Sequence, residues 1–342
     1  MKTVSLIRAG STLLALCSLL VLNGCQSVVG GGTNLLLGGV ESKIVPPVLK
    51  TSDLNMGCTY AVANVPLIAS FRSFYGDPSG LESVLQSSAQ MCADLDAGAE
   101  ELRYLRAQRD KRTDEALDAR IAQKRLLERT ARRQLASFDL MRAKLESKYK
   151  FEYGHGCPRF RNDFDELIYL LGSLGGLQAF VNDIAAQHPI NVSSDIPPRA
   201  EAAMACLNSA KWWGVPQAIR ATVWAVTPGG AVGHDVAGTF DLAMAQGERE
   251  GMRVSHVLAG IAAASLDDRA TVRAVIRRAA TMPIPQQSEN YRYIDEIGLA
   301  LLQEMSDRDW TIGTGSRTPV GSFGTFWDEK ARNDVDANQF LN

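Results

Sequence analysis

Few residues in this chain have the types and spacing that covalent or acid–base chemistry requires. Ser147-Lys148-Tyr149-Lys150 has the Ser-x-x-Lys spacing in which an amine activates a hydroxyl, but no Ser-Asp-Asn or Lys-Thr-Gly partner follows it. Gly172-Ser173-Leu174-Gly175 misses the spacing of a Gly-x-Ser-x-Gly nucleophile elbow. His155 and Cys157 are near enough in sequence for a base–thiol pair, although a thiol in an exported chain is more readily spent on a disulfide. Asp163, Asp165 and Glu166 cluster just before an apolar run, where a helix cap accounts for them better than proton transfer. Gly313-x-Gly315 has no strand before it, so it does not read as a dinucleotide loop. There is no Cys-x-x-Cys or His-Glu-x-x-His, and the four histidines are scattered, so no metal and no cofactor is expected. The motifs point away from an enzyme. For binding, the best candidates are Trp212, Trp213 and Trp224, with Phe180 expected nearby. Flat aromatic surface beside small residues suits an apolar or amphipathic ligand, and equally suits ordinary core packing.

The N-terminus carries chemistry of another kind. Lys2 and Arg8 precede the apolar run Leu13–Leu22, the layout of a secretion signal too short to span a bilayer comfortably. Leu22-Asn23-Gly24-Cys25 ends the run and resembles the lipobox of bacterial lipoproteins. The resemblance implies that the Cys25 thiol is acylated and the chain is cut just before it. Residues 1–24 would then be a signal peptide, and the lipid a membrane anchor of several acyl chains. Gln26, where an aspartate would favour retention at the inner membrane, implies an outer-membrane protein on the periplasmic face.

Residues 1–24 hold two cations and no acid, so the net charge of −2 becomes −4 over the remaining 318 residues. That balance gives no electrostatic attraction to nucleic acid. The length permits one large domain or two small ones, and no segment after the signal reads as a transmembrane helix. With Cys17 in the signal and Cys25 lipidated, Cys58, Cys92, Cys157 and Cys206 remain, which allow two disulfides in three connectivities. Cys58–Cys92 and Cys157–Cys206 are preferred, because each pair spans adjacent predicted helices.

Residues 25–55 read as a Gly- and Val-rich flexible tether, with one short apolar helix around Leu35. From Met56 almost every segment has helical spacing and strand alternation is nearly absent. The pattern predicts helices over 56–74 and 79–107, and then a charged amphipathic helix or hairpin over 103–148. That stretch holds fourteen Lys and Arg against seven Asp and Glu, a solvated face or a surface for lipid phosphate or an acidic partner. A helix opened by an Asp163–Glu166 capping box follows. Its Leu167, Leu170, Leu171, Leu174, Leu177, Val181 and Ile184 share one face, and Gly172 and Gly176, one turn apart, invite close approach of another helix. Asp195, Pro216, Asp235 and Asp267-Asp268 mark four further helix starts, a helix is expected over Met252–Ala264, and the last covers roughly 288–305. Residues 306–342, with Trp310, Phe323, Phe326 and Trp327, form a tail that straps onto the bundle or stays disordered.

The expected fold is therefore all-α, an array of antiparallel helix pairs over residues 56–305 resembling a tetratricopeptide array without its full repeat signature. The order of elements resembles the T-component family associated with TRAP transporters (TatT). The matching segments are Tyr169-Leu170-Leu171-Gly172-Ser173-Leu174, Ala218-Ile219-Arg220-Ala221-Thr222-Val223-Trp224-Ala225-Val226-Thr227-Pro228-Gly229, Thr239-Phe240-Asp241-Leu242-Ala243-Met244-Ala245 and Leu266-Asp267-Asp268-Arg269. The charged stretch and the aromatic tail depart from that pattern. The resemblance implies an all-helical lipoprotein with a ligand-accepting pore or cavity, working beside a periplasmic solute-binding protein and forming trimers. The expected function is binding of a small or amphipathic solute, or docking of a solute-binding partner, in envelope transport. A ligand-free protein–protein scaffold is the alternative, and a cell-wall or lipid-modifying enzyme has no motif in its favour.

Overall fold

A computed structural model describes residues 38–39, 43, 45–74, 76–283 and 286–329. The expected signal peptide, Cys25 and the expected helix around Leu35 lie outside them. Among the described residues the chain is all-helical, with no strand and one isolated bridge between Glu152 and His155. The helices are α1 (Val45–Leu49), α2 (Leu54–Ser70), α3 (Ser79–Arg109), α4 (Thr113–Tyr149), α5 (Asp163–Ala185), α6 (Ile196–Met204), α7 (Val215–Val226), α8 (Val236–Glu250), α9 (Val254–Ser265), α10 (Arg269–Ala280) and α11 (Arg292–Thr314).

The helical body begins before the expected end of the tether. Val45 and Leu49 are one turn apart in α1 and both are buried, which anchors a segment that composition alone assigns to a linker. Pro46 and Pro47 sit in its first turn, where no intrahelical N–H is needed.

Three aspartates and one asparagine cap helices as their side-chain chemistry dictates. Asp53, Asp235 and Asp268 accept from the backbone N–H of Met56, Gly238 and Thr271 at 2.8, 2.9 and 3.0 Å. The cap of α5 is Asn162, accepting from Asp165 N–H at 2.8 Å, and not the expected Asp163. Asp163, Asp165 and Glu166 instead occupy the first turn, where carboxylates meet the positive end of the helix. Asp195 precedes α6 but makes no capping bond; it pairs with Arg199 at 3.1 Å and accepts from the Ser193 hydroxyl at 2.5 Å.

α3 and α4 form one long hairpin, about 46 and 55 Å in length at 1.5 Å per residue. The charged stretch 103–148 is thus no separate element, since its first turns end α3. The turn at Asp110–Arg112 contains neither Gly nor Pro; Lys111 itself takes the left-handed conformation at φ 58°. Arg103, Arg112, Arg132, Arg142, Lys144 and Lys148 are ion-paired, and Arg133 donates to the Ala89 carbonyl at 2.6 Å.

α5 lies against the hairpin through its small residues. A Cβ on Gly172 would stand 2.7 Å from Met141 Cβ, and one on Gly176 2.7 Å from Phe138 Cδ2. Contrary to the sequence reading, α5 is by length and composition apolar enough to cross a membrane, with a mean hydropathy of 1.3 in its richest window. Packing against α4 and α6 makes it a core helix, with Leu167, Ile168, Tyr169 and Leu170 buried.

Cys58 of α2 is bonded to Cys92 of α3, with Cα atoms 5.6 Å apart. Cys157 is bonded to Cys206, with Cα atoms 5.2 Å apart; both lie outside helices, so this bridge ties two loops where adjacent helices were expected. Each closes a loop long enough for a contribution of about 3–4 kcal/mol in the chain-entropy view.

α11 continues two turns beyond the expected end at Met305, and carries Trp310. The following residues, 315–329, strap back over α10 and α11. Trp310 Nε1 donates to the Thr325 carbonyl at 3.0 Å, Phe326 is buried, and Trp327 covers Gly313. Arg273 joins Asp309 and Asp328 at 2.8 and 2.7 Å, which holds the strap to both helices.

Candidate functional site

Ser147 stands exposed in the last turn of α4, while the other carboxylates and nucleophiles singled out in the sequence are engaged structurally. Asp165 accepts from Lys148 at 2.6 Å, from the Tyr149 hydroxyl at 2.5 Å and from Asn162 at 2.9 Å. Glu166 accepts from Trp212 Nε1 at 2.7 Å, and Lys211 bridges Glu166 and Asp163 at 2.9 and 2.8 Å. Ser173 is fully buried, donating to the Tyr169 carbonyl at 2.6 Å and accepting from Tyr153 at 2.8 Å. The thiol beside His155 is in a disulfide. No cluster of three or more potential metal ligands occurs among the described residues.

The site that the packing creates is a cavity of about 880 Å³. One wall is the hairpin and α5, and the other is α7, α9 and α11, with α6 between them. This division explains the two faces of α5. Gly172, Gly176 and Ala179 meet neighbouring helices, while Leu171, Leu174, Leu177 and Val181 line the cavity. Part of the apolar face read from the sequence thus coats an internal surface, while its Leu167 and Leu170 are buried in the core. At 54 and 44 % exposed, the lining residues Val181 and Val226 show that the cavity opens to solvent beside the ends of α5 and α7.

The aromatic candidates divide between cavity and core. Phe180 and Trp224 are on the cavity wall. Trp212 and Trp213 are not; they are buried with Tyr291 in edge-to-face contacts, with ring centroids 5.5 Å apart for the two tryptophans and 4.8 Å for Trp213 and Tyr291. Trp213 takes φ 56° so that the chain can turn sharply into α7, and Gly214 at φ 79° then packs directly on the Ala243 backbone. At the cavity, Trp224 is held from two sides: its Nε1 donates to Glu201 at 3.2 Å, and the His234 ring stacks on it at 3.9 Å.

Sequence reasoning missed the polar strip on the hairpin wall. Ser87, Gln90, Met91 and Asp94 lie at the i, i+3, i+4 and i+7 positions of α3 and all line the cavity. Gln134 of α4 donates to Gln90 Oε1 at 2.9 Å and accepts from Asn182 of α5 at 3.0 Å, a three-helix amide chain along the same wall. Burial pushes the Asp94 carboxyl up to about 6. Glu304 of α11 lies over Gly98, one turn beyond Asp94. Burial first, and then the neighbouring Asp94 charge, push Glu304 up to about 8.

Compared with known proteins, the chain matches no family model, and no curated protein or solved structure shows significant similarity to it.

Proposed function

We propose that this chain is a lipid-anchored helical binding protein of the bacterial outer membrane, which takes a small amphipathic solute into the cavity and passes it on in envelope transport. The observation that carries this reading is the cavity. At about 880 Å³ it falls in the range of small-molecule sites, and its lining is predominantly apolar with a short run of convergent polar groups. A ligand-free scaffold has no use for such a void, because unfilled apolar space forfeits packing contacts. Docking of a periplasmic solute-binding protein, and assembly into trimers, are the steps that the T-component resemblance adds to this proposal.

The membrane side of the reading rests on Leu22-Asn23-Gly24-Cys25. α2, the first long helix after the tether, supports it: the helix carries no charged residue, and Met56, Tyr60 and Leu67 are exposed along one face. That stripe suits a body held against lipid. Mass spectrometry of the purified protein is expected to show an acyl mass that Cys25→Ser removes; two forms that differ only by the sulfur-for-oxygen exchange of the substitution overturn the anchor.

Binding is tested with N-phenyl-1-naphthylamine, a neutral apolar fluorophore. The full-length protein is expected to bind it, and Leu174→Trp and Ile261→Trp, which fill the cavity from opposite walls, are expected to weaken binding at least tenfold with the thermal transition retained. Binding that both variants leave unchanged places the fluorophore elsewhere and overturns the solute-binding reading.

A further inference from the structure

The cavity is electrostatically one-sided. Among its lining residues there is no Lys, Arg or His, and the two acids are Asp94 and Glu201. Glu201 is already satisfied, by Arg220 at 2.8 Å and by Trp224 Nε1. Asp94 accepts no hydrogen bond and joins no ion pair among the described residues, although amide and hydroxyl groups stand one and two turns away on the same face of α3. Its charged neighbour is a second carboxylate, Glu304, which likewise has no ion-pair or hydrogen-bond partner. An acid enclosed by protein and left without a counter-ion is costly, and side chains in that situation are ordinarily paired. Here the partner is missing from the chain, while the open side of Asp94 faces a space large enough to supply one.

We infer that the cavity selects cationic amphiphiles, an amine or quaternary ammonium head joined to an apolar body, with Asp94 as the counter-ion. The inference rests on the solute-binding reading above and narrows its ligand class. The apolar body lies along Leu171, Leu174, Leu258 and Ile261 from the two walls, and the head pairs with Asp94 beside the Gln90–Gln134–Asn182 amides. A fatty acid anion is the opposite case. It enters a site with no cation to receive it and the Asp94 carboxylate to repel it.

The test is isothermal titration of the full-length protein held in nanodiscs, with empty discs as the blank, at pH 7.5. Octylamine and octyltrimethylammonium share their chain with octanol and octanoate, so head-group preference is read directly. Both cations are expected to bind at least tenfold more tightly than octanol, and octanoate more weakly than octanol. Asp94→Asn is expected to abolish the cation preference and leave octanol affinity within about twofold, while Asp94→Glu retains part of it. Cations no tighter than octanol, or a preference that survives Asp94→Asn, overturn the inference with the solute-binding reading intact. If the two cations, octanol and the neutral fluorophore all fail to bind, the solute-binding reading itself falls.

Discussion

Gly176→Ala is expected to destabilise the protein by about 1 kcal/mol, and to become neutral or stabilising when made on a Phe138→Ala background. The reversal follows from what the new methyl group meets. On the present backbone it stands 2.7 and 3.0 Å from Cδ2 and Cγ of Phe138, and 3.1 Å from Ile196 Cγ2. Phe138 is 3 % exposed and its ring is fixed edge-to-face on Tyr153 with centroids 5.1 Å apart, so it cannot swing aside. Overpacking of this kind costs about 1–3 kcal/mol, more than the roughly 1 kcal/mol that Ala gains over Gly in a helix interior. Removing the ring removes the clash and leaves the propensity gain, with the methyl partly refilling the void. Chemical denaturation of the four proteins of the cycle measures both signs. Equal effects of Gly176→Ala on the two backgrounds would show that the contact between α4 and α5 does not set the cost.

Asp94→Asn is expected to stabilise the ligand-free protein at pH 8 by on the order of 2 kcal/mol and to have little effect at pH 4. The sign follows from linkage. A carboxyl pushed up from 3.8 to about 6 on folding holds its proton more tightly in the native state. The native state then binds more protons than the unfolded state between those values, so stability falls as pH rises through that window and the loss persists above it. Each pKa unit corresponds to about 1.4 kcal/mol, and the surface that Asp94 retains toward the cavity reduces the effect. Glu304→Gln acts in the same direction over a wider window, from 4.5 to about 8. Because Asp94 contributes to the Glu304 shift, with Glu101 and Asp307 reinforcing it and Arg317 opposing it, the pair titrates jointly and the double variant should gain less than the sum. Buried His256, pushed down to about 4, works the other way, since its cost appears as pH falls from 6.5. Comparing variant and parent at each pH cancels that term. Urea midpoints at pH 8, 6 and 4 decide the matter; an Asp94→Asn gain that is the same at all three would place its origin outside ionisation.

The helices were legible because periodicity and caps are local. Asp235 and Asp268 each cap the helix their sequence neighbourhood announces, and Gly172 and Gly176 mark a close approach. What escaped is either locally silent or decided by tertiary packing. The hairpin turn at Lys111 has no glycine or proline to punctuate it, so the charged stretch read as an element of its own. Val45 and Leu49 look like linker residues until the core that receives them is known. A tryptophan pair reads alike whether it faces a ligand or a neighbouring helix, and only the fold separates buried Trp212 and Trp213 from Trp224 on the cavity wall. The Ser87–Gln90–Asp94 spacing was the available sign of a polar strip inside the fold. Its meaning depends on α11, whose residues are remote in the chain.

That remoteness bears on the order in which the protein is made. Ser88 meets the Tyr293 hydroxyl at 2.7 Å across 205 residues, and Glu101 meets Arg308 at 3.0 Å across 207. The hairpin, the Cys58–Cys92 bridge and α5 depend on near neighbours and are complete once residue 185 has emerged. The wall formed by α11 must wait for more than a hundred further residues, and contacts of such separation form slowly. The cavity has no complete second wall until α11 is in place, so a chain that stops short of it carries the apolar face of α5 and the carboxyl of Asp94 without their enclosure.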